Sequence, residues 1–280
     1  MQKKIIVDQF SYKHGKNDQI HILTHAHTDH GSIPKKFQNQ IYCSPMTAKI
    51  LLAAFPFLNE ILVPILIPNK WIKILDIFLF IFDSNHSLGS IGFVYEDSLY
   101  WGDGRPTKQM IHLLMSIIQV PLKNIKCDLF FKEMENPKHH ISFSIPSVAE
   151  TSKLIHELIS KHENVWIKIP HFGALHILPL NTNSKYIHNR FKPIPNQICL
   201  EAYLQLKNQQ NGPNFKVSLK LPQNENKYFI IYISTLWWFF ENCPQGRDLH
   251  KPYFVNENYT RVFLSTHASF EENKMLMAIK

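Results

Sequence analysis

Residues 20–34 read IHILTHAHTDHGSIP, and this segment is the most informative part of the sequence. Four metal-binding side chains, His25, His27, Asp29 and His30, lie within six residues directly after a short apolar run. Side chains at i and i+2 of an extended chain project to the same side, so His25 and His27 can approach one metal ion together. Asp29 and His30 follow where the backbone must turn, and they can face a second ion. Imidazole and carboxylate groups are ligands of zinc and related metals. A polar loop without a metal is the alternative, and the clustering argues against it.

Three further metal-ligand candidates follow predicted strands. His86 lies in DSNHSLGS after a run of apolar residues, and His267 lies in FLSTHAS after a shorter one. Asp103 lies in YWGDGRP, where glycine on each side lets the backbone bring a carboxylate close to an ion. A single histidine is more often a surface or core residue. With the first cluster present, the order and placement of these residues predict a hydrolytic site that shares a carboxylate between two ions.

The composition is that of a folded, positively charged protein. Of the 280 residues, 45% are hydrophobic and 19% are charged, which excludes a disordered chain. The formal net charge of +8 favours polyanionic partners, with nucleic acid first and an acidic membrane surface second. Lysines that only keep the surface soluble would give the same charge, so the charge alone leaves both interpretations open.

The cysteines and the apolar runs indicate an intracellular protein. The four cysteines lie far apart and form no C-x-x-C pair: Cys43, Cys127, Cys199 and Cys243. This spacing favours buried thiols in a reducing compartment over disulfides or a zinc ribbon. Residues 74–82 are the most apolar run, but Asp76 interrupts them and they are too short to cross a bilayer. The N-terminal residues lack the pattern of a secretory signal, and we expect no membrane partner.

Short apolar segments separated by polar turns predict a β-rich sheet with helices on its outer faces. The predicted strands are residues 5–10, 20–24, 41–43, 61–67, 74–82, 91–95 and 99–101. Ser44 and Pro45 begin a helix in which apolar residues recur at helical spacing up to Phe55. Beyond residue 121, strands and helices alternate, which predicts an α/β insert. Its predicted helix spans residues 146–161, and the strands predicted after residue 121 are residues 128–131, 165–169, 229–234 and 262–265.

Seven segments occur in an order that resembles the DNA cross-link-repair nucleases, the Apollo and Artemis relatives in the β-CASP branch of the metallo-β-lactamase superfamily. These segments are VDQF, LTHAHTDH, IYCSPMTAKILL, DSNHSLGS, YWGDGRP, IPSVAETSKLIHELISKH and FLSTHASF. The HxHxDH pattern alone is typical of the whole superfamily, whereas the ordered set is typical of the nuclease branch. The resemblance implies an α/β (α+β) fold, namely the metallo-β-lactamase αββα sandwich with an inserted, shortened β-CASP-like α/β region.

The implied domain boundaries follow from the same segments. Residues 1–122 would form the N-terminal part of the metallo-β-lactamase domain, residues 123–228 the β-CASP-like insert, and residues 229–280 the C-terminal return to the first domain.

The resemblance also implies a Zn²⁺ centre of one or two ions, with Mn²⁺ or Mg²⁺ as alternatives at the second. The first ion would be held by His25, His27, His86 and Asp103. The second would be held by Asp29, His30, the shared Asp103 and His267. The catalytic residues would be Asp29, Asp103 and His267, placed around a water of lowered pKa that attacks phosphorus.

Three basic residues near these ligands are candidates for contacts with substrate phosphate. Arg105 follows Asp103 as arginine does in the GDFR of the family, and a structural ion pair is an equal alternative. Lys35 and Lys36 lie beside the histidine cluster, where a solvated surface is an equal alternative.

Two segments of the insert depart from the family. Its Asp-x-Thr segment is replaced by LFFKEMENP, and its Tyr-Ser-x-Gly-Lys-Glu segment corresponds to residues 172–177, which read FGALHI. In the family these segments help to bind a terminal 5′-phosphate. The resemblance therefore supports metal-dependent hydrolysis and leaves the 5′-phosphate preference open.

The leading hypothesis is a metal-dependent DNA nuclease, a 5′-to-3′ exonuclease in DNA repair such as interstrand cross-link repair. It would act as a monomer on single-stranded DNA or on DNA with free 5′ ends, with RNA as an alternative substrate, and the resemblance implies a nuclear location. A small-molecule hydrolase of the same superfamily, acting on a thioester, lactone or β-lactam, is the second hypothesis. The third is a degenerate member that binds nucleic acid without cutting it.

Overall fold

The chain folds into two compact units, Met1–Glu133 with Thr266–Lys280, and Met134–Ser265. The computed structural model describes residues 4–11, 19–27, 29–127, 148–162, 165–169, 186–189, 198–199, 202–203, 205–206, 216–217, 229–234, 253–255, 259–263 and 270–279. Within these ranges, no helix combines the length and the apolarity needed to cross a membrane.

A parallel sheet of four strands begins the first unit, in the order β1-β2-β3-β4. Its strands are Lys4–Val7 (β1), Gln19–Ile22 (β2), Ile41–Tyr42 (β3) and Leu62–Val63 (β4). The helix Pro45–Ala54 (α1) follows β3, and the 3₁₀ helix Pro56–Glu60 precedes β4. Ser44 is the N-cap of α1, where its side chain accepts a hydrogen bond from the backbone N–H of Thr47 at 3.1 Å.

A second, mixed sheet of five strands has the order β5-β6-β7-β8-β9. Its strands are Lys70–Ile74 (β5), Ile77–Asp83 (β6), Ile91–Tyr95 (β7), Ser98–Tyr100 (β8) and Asn124–Lys126 (β9). Neighbouring strands are antiparallel except for the parallel pair β8 and β9. The helices Lys108–Ile117 (α2) and Phe270–Met277 (α4) also belong to this unit.

Alternation along β6 shows how the layers stack, because successive side chains of a strand point to opposite faces. Leu79 and Ile81 enter a core that also contains Ile20 and Ile22 of β2, so the two sheets pack against each other. On the opposite face, Phe80, Phe82 and Trp101 form a second core, with Ile111 and Leu114 of α2 and Leu276 of α4. The first unit therefore has two stacked sheets with helices against the second.

The second unit is an α/β arrangement built on a six-stranded sheet in the order β12-β11-β10-β13-β15-β14. Its strands are Val165–Ile169 (β10), Tyr186–Asn189 (β11), Lys216–Val217 (β12), Phe229–Ser234 (β13), Tyr253–Val255 (β14) and Tyr259–Phe263 (β15). All neighbouring pairs are parallel except β14 with β15. The helix Val148–Ser160 (α3) precedes β10 and buries Ile155 and Leu158.

The mixed α/β class agrees with the sequence prediction, and several elements differ in detail. The strand predicted at residues 74–82 is instead the β5–β6 hairpin, because Leu75 adopts a positive φ of 54° and reverses the chain. The segment predicted at residues 61–67 is shorter, since only Leu62–Val63 pairs with β3. Helix α2 was not predicted, although Thr107 caps it by accepting a hydrogen bond from Met110 N–H. The strand predicted at residues 128–131 lies outside the described residues.

The boundary between the units also differs from the one predicted. Residues 229–234 were assigned to the C-terminal return of the first domain, whereas β13 pairs with β10 and β15 inside the sheet of the second unit. The first unit resumes at Thr266.

The described cysteines lie in buried or half-buried positions. Cys43 and Cys199 are buried, and burial raises the pKa of each thiol to about 12. Cys127 is half-buried, and Cys243 lies outside the described residues. The buried thiols behave as small apolar side chains.

We expect Gly92→Ala to lower the free energy of unfolding by about 1–3 kcal/mol, because the core on this side is already full. Gly92 lies opposite Phe82 in the β6–β7 ladder, and a Cβ atom there would overlap the Phe82 ring. Urea unfolding followed by circular dichroism measures the loss. In the double variant Gly92→Ala/Phe82→Leu, the smaller side chain at position 82 should make room for the Cβ atom, so the loss in free energy of unfolding should be smaller than the sum of the two single losses. A loss equal to that sum would contradict this packing.

Candidate metal centre

Polar side chains of the first unit follow the ends of β2, β6 and β8. His25 and His27 come after β2, His86 after β6, and Asp103 after β8. The two sheets are joined at this edge, since Ile91 N–H of β7 donates to the carbonyl oxygen of Thr24 at 3.0 Å. The ends of three strands thereby bring these residues to one place.

Three buried imidazole rings meet at this edge. Their centroids lie 4.6 Å apart for His25 and His27, 4.6 Å for His25 and His86, and 4.8 Å for His27 and His86. Nε2 of His86 is 3.0 Å from Nδ1 of His27. Each ring offers one nitrogen within 4.8 Å of the others, so the three histidines could hold one metal ion.

The carboxylate of Asp103 faces the same point. Its Oδ2 atom lies 4.0 Å from Nε2 of His25, 3.9 Å from Nε2 of His86 and 3.1 Å from Nε2 of His30. Four ligands placed tetrahedrally at about 2.0–2.1 Å from Zn²⁺ are about 3.3 Å from one another. The spacing of these atoms is therefore close to that of a zinc ligand set, with nitrogen and carboxylate donors that suit the ion.

His30 lies between two carboxylates. Burial lowers its pKa, but hydrogen bonds and charge attraction from Asp103 and Asp8 outweigh that effect and raise the pKa to about 11. Nε2 of His30 lies 3.1 Å from Asp103, and Nδ1 lies 3.0 Å from Oδ2 of Asp8. Two carboxylates on opposite sides of one ring thus create a site that favours positive charge.

Asp8, just after β1, is a site residue that the sequence interpretation missed. It accepts hydrogen bonds from Thr24 N–H at 2.8 Å and from the Thr24 hydroxyl at 2.6 Å. The only hydroxyl hydrogen of Thr24 is thereby used, so its oxygen must accept from Nδ1 of His25, 2.9 Å away. Nε2 of His25 then carries the lone pair that a metal needs.

Asp8 is the aspartate of the VDQF segment, which carries part of the family resemblance but by itself indicates no role for this residue. Its role depends on contacts with Thr24 and His30, 16 and 22 residues away along the chain. Asp8, His25 and His30 together form a second group whose ligand atoms lie within 4.8 Å of one another.

Asp29, one of the predicted metal ligands, lies at the edge of this cluster. Asp29 is 79% exposed, and its Oδ2 atom lies 3.9 Å from Nε2 of His30. It therefore sits on the solvent side of the site. His267 lies outside the described residues.

The loop that carries His86 is held by one carboxylate and one hydroxyl. Oγ of Ser90 accepts hydrogen bonds from the backbone N–H groups of His86 and Ser87, each at 3.1 Å. Asp83 accepts from Asn85 N–H at 2.7 Å and from Ser90 Oγ at 3.5 Å. Burial raises the pKa of Asp83, and these two hydrogen bonds oppose the rise.

Hydrogen bonds also connect the His86 loop to the loop of Asp103. The Ser84 hydroxyl donates to the carbonyl oxygen of Asp103 at 2.8 Å, and Asn85 Nδ2 donates to that of Arg105 at 3.1 Å. The two loops approach so closely that a Cβ atom on Gly104, which has φ +155°, would overlap the carbonyl oxygen of Ser84. Glycine is therefore required where the family has the phenylalanine of GDFR.

Helix α1 supports the other side of the His86 loop. The carbonyl oxygen of Gly89 accepts hydrogen bonds from the hydroxyls of Ser44 at 2.6 Å and Thr47 at 3.0 Å. Gly89 itself has φ +82°, and a Cβ atom there would lie 2.6 Å from Ser44 Oγ. The first turn of α1 thus fixes the position of this loop.

Arg105 forms a buried ion pair with Glu272 of α4. Its Nε atom lies 3.2 Å from both carboxylate oxygens of Glu272, and its terminal nitrogen donates to Oε1 at 2.8 Å. Of the two alternatives for Arg105, a contact with substrate phosphate and a structural ion pair, this geometry corresponds to the ion pair. The pair joins the C-terminal helix to the loop of Asp103.

Lys35 and Lys36 are exposed and follow His30 by five and six residues. Nζ of Lys35 is 6.0 Å from the ring centroid of Phe57. Both ammonium groups are accessible to an anionic ligand.

Comparison with curated proteins finds relatives at modest identity. The 5′ exonuclease Apollo of Gallus gallus is 24% identical over 173 residues, which cover 56% of this chain and 34% of that protein. The DNA cross-link repair protein pso2/snm1 of Schizosaccharomyces pombe is 32% identical over 115 residues, covering 38% of this chain and 20% of that protein. The 5′ exonuclease Apollo of Danio rerio is 27% identical over 172 residues, covering 56% and 28%. The chain thus spans about a third or less of these relatives.

A solved structure has a similar fold. The crystal structure of a protein of unknown function from Enterococcus faecalis V583 matches 93% of this chain and 73% of that chain, with a TM-score of 0.51 at 13% identity. This likeness shows the mixed α/β fold alone. No family model matches the chain.

We expect Thr24→Val to weaken Zn²⁺ binding about 10- to 100-fold, because the hydroxyl that orients His25 is removed. Competition with a chromogenic chelator measures the dissociation constant. Thr151→Val in α3 is the matched control, since Thr151 is equally buried, its hydroxyl has no hydrogen-bond partner, and it lies in the other unit. Equal Zn²⁺ affinity in both variants would contradict the role of Thr24.

We expect Arg105→Met to lower the free energy of unfolding by about 3 kcal/mol, because Glu272 is left charged in a largely buried position. The double variant Arg105→Met/Glu272→Leu should recover most of the loss, and urea unfolding measures both. A double variant as stable as the wild type supports the structural role of Arg105. A double variant that remains as unstable as Arg105→Met would contradict it.

Proposed function

We propose that this chain, which is related to the Apollo and Pso2/Snm1 DNA cross-link repair proteins, is a metal-dependent DNA nuclease in DNA repair. It would hydrolyse phosphodiesters as a 5′-to-3′ exonuclease. Its first unit would be the metallo-β-lactamase domain, with the stacked sheets as the centre of an αββα sandwich, and its second unit the β-CASP-like region.

One observation carries the proposal: the carboxylate of Asp103 faces the Nε2 atoms of three histidines at 3.1–4.0 Å. Such a donor set fits Zn²⁺, with Mn²⁺ or Mg²⁺ as alternatives at a second position. His25, His27, His86 and Asp103 would hold the first ion. The second would be held by Asp103, His30 and Asp29, together with His267.

Bound there, Zn²⁺ would supply a water of lowered pKa and positive charge for the phosphate. The residues of the chain contribute the rest. Asp8, through Thr24, keeps the lone pair of His25 directed at the centre. Asp29, exposed at the rim, can accept a proton from a water beside His30. The exposed Lys35 and Lys36 can contact the phosphates that enter the site.

DNA is the substrate that these features favour. The net charge of +8 attracts a polyanion, and the relatives are named as a 5′ exonuclease and a DNA cross-link repair protein. Single-stranded DNA, or DNA with a free 5′ end, could place its terminal phosphates beside the lysines. A role in DNA repair would require the protein in the nucleus or wherever the cell keeps its DNA.

We expect the Zn²⁺-loaded protein to shorten a 3′-labelled single-stranded DNA from its 5′ end, producing a ladder on a denaturing gel. Asp103→Ala should lower the rate at least about 100-fold, because the carboxylate faces His25, His30 and His86. This is a loss of about 2.7 kcal/mol of transition-state stabilisation. Glu60→Ala, an exposed carboxylate on the 3₁₀ helix, is the matched control.

Substrates with and without a 5′-phosphate, run in parallel, measure whether the departures in the insert affect recognition of the 5′ end. RNA of the same sequence decides between the two nucleic acids. If Zn²⁺ binds stoichiometrically and neither DNA nor RNA is cut, the nuclease proposal is wrong, and thioester and β-lactam substrates become the next to assay.

A further inference from the structure

The outer face of the β5–β6 hairpin exposes two aromatic rings. Trp71 is 55% exposed and Phe78 is 56% exposed, although both lie within paired strands. Trp71 and Lys73 of β5 alternate with Ile72 and Ile74, which pack toward the core between the sheets. The exposed set, Trp71, Lys73 and Phe78, is called the aromatic face.

Neighbouring residues hold the aromatic face in place. Trp71 pairs with Phe80 across the strands, and their rings meet edge to face with centroids 5.6 Å apart. Lys73 pairs with Phe78, and its Nζ atom lies 5.5 Å from the centre of that ring. Phe80 is buried under the helices, so Trp71 is anchored on one edge and open to solvent on the rest.

The spacing of the aromatic face suits unpaired bases. Trp71 and Phe78 are diagonal neighbours across the ladder, a relation that places residues about 7–8 Å apart. Successive bases of an unstacked strand can span that distance. The ammonium group of Lys73 lies over the Phe78 ring, 5.5 Å from its centroid, where it can pair with the phosphate between two such bases.

The charge of the surroundings agrees with a polyanion. The cross-strand pairs Trp71–Phe80 and Lys73–Phe78 place four side chains on this face. Three of them are aromatic, one is basic and none is acidic. The one acidic residue of the hairpin turn, Asp76, is exposed beyond the strands. The chain as a whole carries a net charge of +8.

Strand β6 connects the aromatic face with the candidate metal centre. Strand β6 ends at Asp83, whose carboxylate holds the loop of His86. Trp71 pairs with Phe80, which precedes Asp83 by three residues. Three residues correspond to about 10 Å along a strand. The aromatic face and the metal centre therefore lie at different positions along the same strand, so one strand of nucleic acid could contact both.

We infer that the aromatic face binds unpaired bases of a single-stranded nucleic acid, by stacking on Trp71 and Phe78 and by pairing a phosphate with Lys73. The inference rests on the proposed function and extends it, because it assigns the strand a second contact outside the metal centre. Such a contact would favour substrates with a single-stranded stretch over fully paired ends.

Binding of a fluorescein-labelled 15-nucleotide oligothymidylate, measured by anisotropy in an Asp103→Ala background, tests the inference without cleavage. Trp71→Ala and Phe78→Ala should each raise the dissociation constant at least about fivefold, the effect of losing one stacked base. Trp71→Phe should retain most of the affinity. Lys73→Gln should reduce the slope of log K against log salt by about 0.7. Met115→Ala on α2, an equally exposed position, is the control and should change nothing.

Thermal melting of each variant establishes that it is folded, and the exposed positions make a loss of folding unexpected. Unchanged affinity in Trp71→Ala and Phe78→Ala would overturn the inference, even if the wild type cuts DNA. Weakened binding in those variants supports it, even if the wild type cuts nothing and the nuclease proposal fails. Preferential binding of the aromatic face to phosphatidylserine vesicles would overturn it in favour of a membrane contact.

Discussion

Burial of imidazole rings beside carboxylates is the constraint on which the first unit depends. His25 and His86 are almost fully buried, and moving such polar groups out of water costs free energy unless a hydrogen bond or a cation compensates. Asp8 and Asp103 supply the negative charge that makes a cation favourable at this point, which is why they raise the pKa of His30 to about 11 despite its burial. A metal ion held by the same groups would meet the same electrostatic need, so metal binding would be coupled to the folding of this edge.

Such a cluster is useful only if its ligands cannot drift apart. Each ligand follows a strand end, and hydrogen bonds join the loops to one another and to the helices. Ser84 connects the His86 loop to Asp103, Ser44 connects it to α1, and Arg105 connects the Asp103 loop to α4. Most of these bonds use backbone carbonyl oxygens as acceptors, so they fix the path of the loops from which the imidazole and carboxylate groups face the centre.

The parts of the site that sequence could predict are those whose signal is local. The spacing of His25 and His27, and the glycines around Asp103, indicate function within a few residues, and the structure brings these residues together with His86. The parts that it could not predict depend on distant partners. Asp8 acts through Thr24, and Arg105 through Glu272, 167 residues away. The β5–β6 turn was hidden for another reason, because Leu75 adopts a left-handed conformation that its side chain does not suggest.

Strand β6 shows how closely stability and the site are combined. Its inward residues form the core between the sheets, Phe80 and Phe82 pack under the helices, and its end carries the His86 loop. Phe78 lies on the same side as Phe80 and Phe82 and is more than half exposed, because the helical cover stops short of it. Phe78 is a diagonal neighbour of the exposed Trp71, and contiguous exposed aromatic rings are typical of binding surfaces. Since the rest of the strand is packed on both faces, the exposure is confined to the end at which binding of unpaired bases is inferred.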